Sequence, residues 1–137
     1  MGWRTALALS VVILLAGCVQ QGSAPTAIPT AVQQQMVRIT LSINGPQNST
    51  LALEVEKGAV LFDVLQRNAQ IEYKTYEGMG ALVTSINGVR QDEGGNQKYW
   101  QYYADGTLGS VGVSAYAIDR PQAIEFRYEE MNPGLSG

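Results

Sequence analysis

An α+β fold, one mixed sheet packed on one helix, is what three features of this sequence predict. Most apolar residues alternate with polar ones at the two-residue period of half-buried strands. A single segment carries the period of an amphipathic helix. That segment follows a hairpin and precedes several further strands, an order that excludes a doubly wound parallel sheet.

Val37, Ile39, Leu41 and Ile43 fall on one face of the first strand, with Arg38, Thr40 and Ser42 on the other. Asn44-Gly45-Pro46 and Gln47-Asn48-Ser49 make a turn. Leu51, Leu53 and Val55 then alternate with Ala52, Glu54 and Glu56, completing a hairpin. Val60, Leu61, Val64, Leu65 and Ala69 recur at helical spacing, so the helix is expected over 59–69, with Gly58 as a weak N-cap. Ile71, Tyr73 and Thr75 alternate again, and Glu77-Gly78-Met79-Gly80 breaks the chain. Leu82, Thr84 and Ile86 lead into Asn87-Gly88, a strong tight-turn signal. The loop Asp92-Glu93-Gly94-Gly95-Asn96 lacks the alternating oxygen ligands of an EF-hand and reads as a solvated tip. Lys98–Ala104 is an aromatic strand closed by Asp105-Gly106, a short run surrounds Val113–Ile118, and Gln122–Glu129 is the last strand, with Ile124, Phe126 and Tyr128 on one face. Hairpin, helix and strands in this order outline a β-grasp (ubiquitin-like) fold.

The flanks carry a different message. Arg4 precedes an apolar run from Thr5 to Leu15, too short to span a bilayer as a stable helix. A positive start and a short apolar core describe a secretory signal. It ends in Leu15-Ala16-Gly17-Cys18, which resembles a bacterial lipobox. The resemblance implies a diacylglyceryl group on the Cys18 sulfur and cleavage before Cys18. As the only cysteine in the chain, Cys18 cannot form an internal disulfide. Residues 19–35 hold no charge and no aromatic, and read as a flexible tether. The expected organisation is a signal peptide over 1–17, a lipidated N-terminus and linker over 18–35, a β-grasp domain over 36–130 and a frayed tail over 131–137. The expected location is extracytoplasmic, with the membrane reached through the lipid on Cys18.

Without the first seventeen residues, eight basic residues stand against twelve acidic ones, which argues against a nucleic-acid partner. The chain has no histidine, so the commonest general base and metal ligand are missing. No Ser-x-x-Lys motif appears, and Glu129-Glu130 lies near a terminus. Neither an enzyme, nor a cofactor, nor a metal site is expected. Gly106, Gly109 and Gly112 lack the context of a phosphate loop. Asn48-Ser49-Thr50 fits the N-glycosylation pattern, which matters only in a host that glycosylates.

Three segments resemble a known family. They are Gly80 to Val89 around Ser85-Ile86-Asn87-Gly88, then Tyr99-Trp100-Gln101-Tyr102-Tyr103, then Val111-Gly112-Val113-Ser114-Ala115-Tyr116. Their order and spacing are similar to the domain related to the C-terminal β-domain of transcobalamin and intrinsic factor. The match covers most of 36–130. Asp119-Arg120-Pro121-Gln122 replaces the family's Gly-Asp turn, and the helix start lacks the usual Thr or Ser. The resemblance implies a β-grasp of the soluble-ligand-binding type, and it does not name the ligand. In the cobalamin carriers a separate α-helical domain closes the site.

Within the aromatic strand, Trp100 and Tyr102 are expected on the core face, where they fill volume. Tyr99, Gln101 and Tyr103 would then face solvent or a groove, beside Tyr116 and Tyr76. Such a surface suits a planar ligand, a sugar or a partner protein; the alternative is cross-strand pairing that only stabilises the sheet. The function expected is a membrane-anchored binding module for a small soluble ligand, cobalamin-like or other, acting alone or with a surface or transport protein. A protein- or cell-wall-interaction scaffold is the alternative.

Overall fold

β1 (Met36–Asn44) and β2 (Ser49–Glu56) form the hairpin that the alternation predicts, in continuous antiparallel register from Met36↔Glu56 to Ile43↔Ser49. The computed structural model describes Gly22 and residues 33–131. Cys18, the signal segment 1–17, most of the linker 18–35 and residues 132–137 of the tail lie outside the described residues.

A two-residue strand, β3 (Ala59–Val60), leads into the one α-helix among the described residues, α1 (Leu61–Asn68). The helix starts two residues later than its period suggests, because Ala59 and Val60 pair with β9 (Ala117–Ile118) instead of coiling. Val60, not Gly58, is the N-cap, and no side chain caps it. The first N–H groups of a helix still need acceptors. Leu61 N–H donates to the Tyr116 carbonyl at 2.9 Å and Phe62 N–H to the Val113 carbonyl at 3.1 Å. The segment 113–118 therefore serves as a backbone cap, which explains how a sequence without Ser, Thr or Asp at this point holds its helix.

After α1 come β4 (Ile71–Tyr76), β5 (Gly80–Ile86), β6 (Val89–Arg90), β7 (Lys98–Ala104), β8 (Thr107–Leu108), β9 and β10 (Gln122–Glu130). The expected single mixed sheet is three sheets among the described residues. The largest has the order β2-β1-β10-β7-β8; β4-β5-β6 form a second and β3-β9 a third. The large sheet is mixed, since β1 and β10 run parallel while the other pairs are antiparallel. The second sheet stops at β6, which is two residues long and ends near Asp92, held at φ 50°. A side chain replaces the missing ladder: Trp100 Nε1–H donates to the Val89 carbonyl at 2.8 Å.

One core joins these layers. Val37, Ile39, Leu41 and Ile43 of β1 meet Ile124 and Phe126 of β10, Trp100 and Tyr102 of β7, and Leu61, Val64 and Leu65 of α1. Val83 and Ile86 bring the second sheet into the same core. The Asn87-Gly88 turn forms as its sequence requires, with φ of 50° and 82° between the paired Ile86 and Val89. The result is an α+β fold.

Candidate functional site

The aromatic strand β7 sits between β10 and β8, so both of its faces are defined by register. Trp100, Tyr102 and Ala104 stand opposite Tyr128, Phe126 and Ile124 on the face turned to the core. Trp100 and Tyr102 are 9% and 7% exposed, as the alternation predicts. Their polar tips still find partners, as buried aromatics require. Tyr102 Oη–H donates to the Val111 carbonyl at 2.6 Å. Burial, and then the neighbouring Tyr116, push the Tyr102 phenol above its ordinary pKa.

The other face differs from its expectation. Tyr99, Gln101 and Tyr103 do share it, opposite Glu129, Arg127 and Glu125. Tyr103, however, is 6% exposed. The Arg127 guanidinium lies 4.0 Å from its ring centroid, and its hydroxyl donates to the Glu129 carboxylate. Arg127 also pairs with Glu125 at 2.6 Å, and Asn44 Nδ2–H reaches the same carboxylate. The Arg127 hydrogen bond is the main reason that Glu125 is held below the ordinary carboxylate range. At Tyr103 the face read as an open aromatic surface is thus a polar network that covers the ring, while Tyr99 and Gln101 stay half-exposed. A long arginine stem over a ring removes it from solvent, and the alternation pattern of a strand holds no sign of that.

Tyr116 is not beside Tyr103 either. It packs edge-on to Tyr102, with ring centroids 5.5 Å apart, and donates its hydroxyl proton to Gln122 Oε1 at 2.8 Å. Tyr76 lies at the end of β4 in the second sheet and is 42% exposed. The five residues read from the sequence therefore divide among three places: Tyr99, Gln101 and Tyr103 outside the large sheet, Tyr116 behind it, and Tyr76 on the neighbouring hairpin.

An apolar cleft of about 170 Å³ opens where that hairpin meets β7 and the 108–113 segment. Leu82, Val83, Leu108 and Val113 wall it, and Tyr102 and Phe126 line its depth. Gln101 borders it from β7, but its side chain lies on the outer face, where Nε2–H donates to the Glu130 carbonyl at 3.0 Å. Three apolar side chains stand exposed on the same two segments: Met79 at 74%, Leu82 at 44% and Val111 at 47%. The hairpin tip and the loop are tied together, since Ala81 N–H donates to Ser114 Oγ at 3.0 Å. Gly109 shows why the loop can come so close. A Cβ at this position would lie 2.1 Å from the Tyr102 ring, so only glycine lets the backbone cross it. Sequence reading excluded Gly109 and Gly112 as a phosphate loop but missed this use. A glycine-rich stretch ten residues after a Tyr-Trp strand was the available signal. Among the described residues, no group of three or more His, Cys, Asp or Glu could hold a metal ion.

The comparisons with known proteins agree with the transcobalamin-like motifs. The crystal structure of haptocorrin in complex with Cbi superposes with a TM-score of 0.61 at 18% identity, over 72% of this chain and 26% of that one. The chain thus spans about a quarter of haptocorrin. A proposed metal-binding protein from Ruminococcus gnavus ATCC 29149 superposes with a TM-score of 0.57 at 18% identity, over 70% of this chain and 99% of that one. At such identities the likeness is one of fold. No protein of curated function matches the sequence. A family model described as a domain of unknown function, DUF4430, matches residues 58–130, more than half of the chain, and the protein belongs to that family.

Proposed function

We propose that this protein is an exported, lipid-anchored binding module of β-grasp type, whose cleft beside Tyr102 takes the apolar edge of a small molecule. The cleft carries the reading. It is the place where exposed apolar side chains meet buried aromatic rings. Ligand sites usually combine these features, but at about 300–1,000 Å³. A volume of about 170 Å³ fits one edge or substituent of a ligand, not a whole one. The rest of the ligand would be covered by a second protein or domain. The likeness to a structure described with Cbi bound, four times as long as the matched part, supports a shared site of this kind.

The β-grasp reading rests on strand order. A hairpin, a helix, and a central parallel β1–β10 pair flanked by β2 and β7-β8 are its hallmarks. The anchor rests on Leu15-Ala16-Gly17-Cys18 and the apolar run before it. Binding is preferred over catalysis because the chain has no histidine and the cleft holds no carboxylate. Among the residues first read from the sequence, Tyr116 stands behind the proposed site as support for Tyr102 and Tyr76 lies on the rim hairpin, while Gln101 borders the cleft with its side chain on the other face of β7.

The test is thermal melting of the full-length chain in detergent with cobinamide or cobalamin. A ligand present at 100 times its Kd adds about 2.7 kcal/mol to stability. Leu82→Glu, a change at an exposed rim position, should leave the melting temperature of the free protein in place and erase the ligand's effect. No shift with either corrinoid sinks that ligand class; equal shifts with wild type and Leu82→Glu sink the cleft. Membrane retention of a Cys18→Ser variant would in turn sink the anchor.

A further inference from the structure

The large sheet ends at β2, which pairs on one side with β1 and on the other with no strand among the described residues. Hydrogen-bond alternation shows what that edge presents. Lys57 N–H donates to the Gln35 carbonyl at 2.7 Å, so 57 and 35 form a hydrogen-bonded pair. In an antiparallel ladder such pairs alternate with non-bonded ones. Residues 55, 53, 51 and 49 therefore face β1, while Thr50, Ala52, Glu54 and Glu56 direct N–H and C=O outward. Natural edges are usually blunted by lysine, proline or a bulge. The eight residues of β2 hold neither lysine nor proline, and their register with β1 is unbroken.

A groove of about 520 Å³ runs along this edge, between β2 and α1. Leu53, Val55, Val60 and Val64 line it, with Glu56 and Asp63 among its exposed residues. A strand added to β2 would send alternate side chains over that groove, on the face shared by Leu53 and Val55. The charges of β2 are Glu54 and Glu56, and Glu54 already meets Arg38 at 2.9 Å. Asp63 adds a carboxylate across the groove and Arg67 is its one lining cation.

We propose that the β2 edge and this groove bind an extended segment of another protein by strand addition. The segment would place aliphatic residues at every second position, over the groove, and lysine or arginine between them. A second copy of this chain fits less well. Pairing two β2 strands with matched faces sets Leu53 against Leu53 and lines four glutamates along one strip, where like charges repel. The site is separate from the Tyr102 cleft, and its test does not depend on that reading.

Two labelled octapeptides, one alternating valine with lysine and one alternating valine with glutamate, are the probes. Fluorescence anisotropy against the full-length chain in detergent should show saturable binding of the lysine peptide alone. Ala52→Pro removes one outward N–H and leaves the β1 ladder intact, as edge positions permit. It should weaken that binding at least tenfold with an unchanged melting temperature. Glu54→Lys combined with Glu56→Lys, on the face where the peptide's charges lie, should reverse the preference to the glutamate peptide, which keeps the test decisive if the proline variant folds poorly. Three outcomes overturn the proposal. One is no saturable binding of the lysine peptide. Another is equal affinity in wild type and Ala52→Pro. The third is a concentration-dependent dimer that Ala52→Pro abolishes, which would give the edge to a second copy.

Discussion

The two faces of β7 carry similar side chains and tie down different things. On the inner face, Trp100 and Tyr102 pass their polar tips through the core to backbone carbonyls of Val89 and Val111. Val89 belongs to the second sheet, which shares no ladder with β7, and Val111 to the loop over the cleft, beyond the backbone bonds that Leu108 and Gly109 make to β7. On the outer face, Tyr103 meets the Arg127 and Glu129 side chains of the adjacent β10. The inner aromatics hold distant segments in place, whereas the outer one reinforces a strand pair that backbone hydrogen bonds already secure. Position in the core, rather than residue type, decides what an aromatic contributes.

Truncation should separate the faces most strongly. Tyr102→Ala empties a core position against Phe126 and Tyr116 and frees the 108–113 segment. The expected loss is about 3–5 kcal/mol, read from the guanidinium midpoint. Tyr103→Ala should lose about 2 kcal/mol, because Arg127 keeps Glu125 and both can return to water. A larger loss for Tyr103→Ala would break the comparison. Next in size is Gly109→Ala. The Tyr102 ring leaves no room for a Cβ there, and overpacking costs about 1–3 kcal/mol. In the Tyr102→Ala background that cost should vanish, a non-additivity which a double-mutant cycle detects.

The hydroxyls alone give a smaller contrast. Tyr102→Phe orphans the Val111 carbonyl in a partly buried site and should cost about 1–2 kcal/mol. Tyr103→Phe should cost less than about 1 kcal/mol, since the half-exposed Glu129 finds water. Equal losses would mean that the outer network is as dry as the core.

Much of the inner face was legible in the sequence. Alternation placed Trp100 and Tyr102 inward because a strand has a fixed period of two, and the apolar residues of β1 and β10 gave the same answer. The hairpin, the Asn87-Gly88 turn and the final strand followed from equally local rules. The sealing of Tyr103 was not legible, since Arg127 lies 24 residues away and only the register of β10 brings it over the ring. The division into three sheets was hidden for a related reason. Period shows that a segment is a strand and is silent about its neighbour. The helix cap was missed because its acceptors are carbonyls of Tyr116 and Val113, which every residue owns. The cleft itself is built from leucine, valine and glycine, and no motif marks such residues until the chain folds.

The smallest expected effect, and the finest test, is pH. Glu125 has its pKa lowered, first by the Arg127 hydrogen bond. Its contribution to stability is therefore complete above the ordinary carboxylate range and is lost as pH falls through the lowered value. Tyr102 has its pKa raised, first by burial. Its contribution is complete below the ordinary tyrosine range and is lost as pH rises through the raised value. The two faces should fail at opposite ends of the scale. Melting temperature followed across pH for wild type and Glu125→Gln should differ least in acid, where wild type has already lost the interaction, and diverge as pH rises to neutral. Wild type and Tyr102→Phe should differ most near neutral pH and converge in alkali. A Glu125→Gln gap that persisted into acid would mean that packing under Arg127, not the ion pair, holds the outer face, and that both faces of β7 work by burial alone.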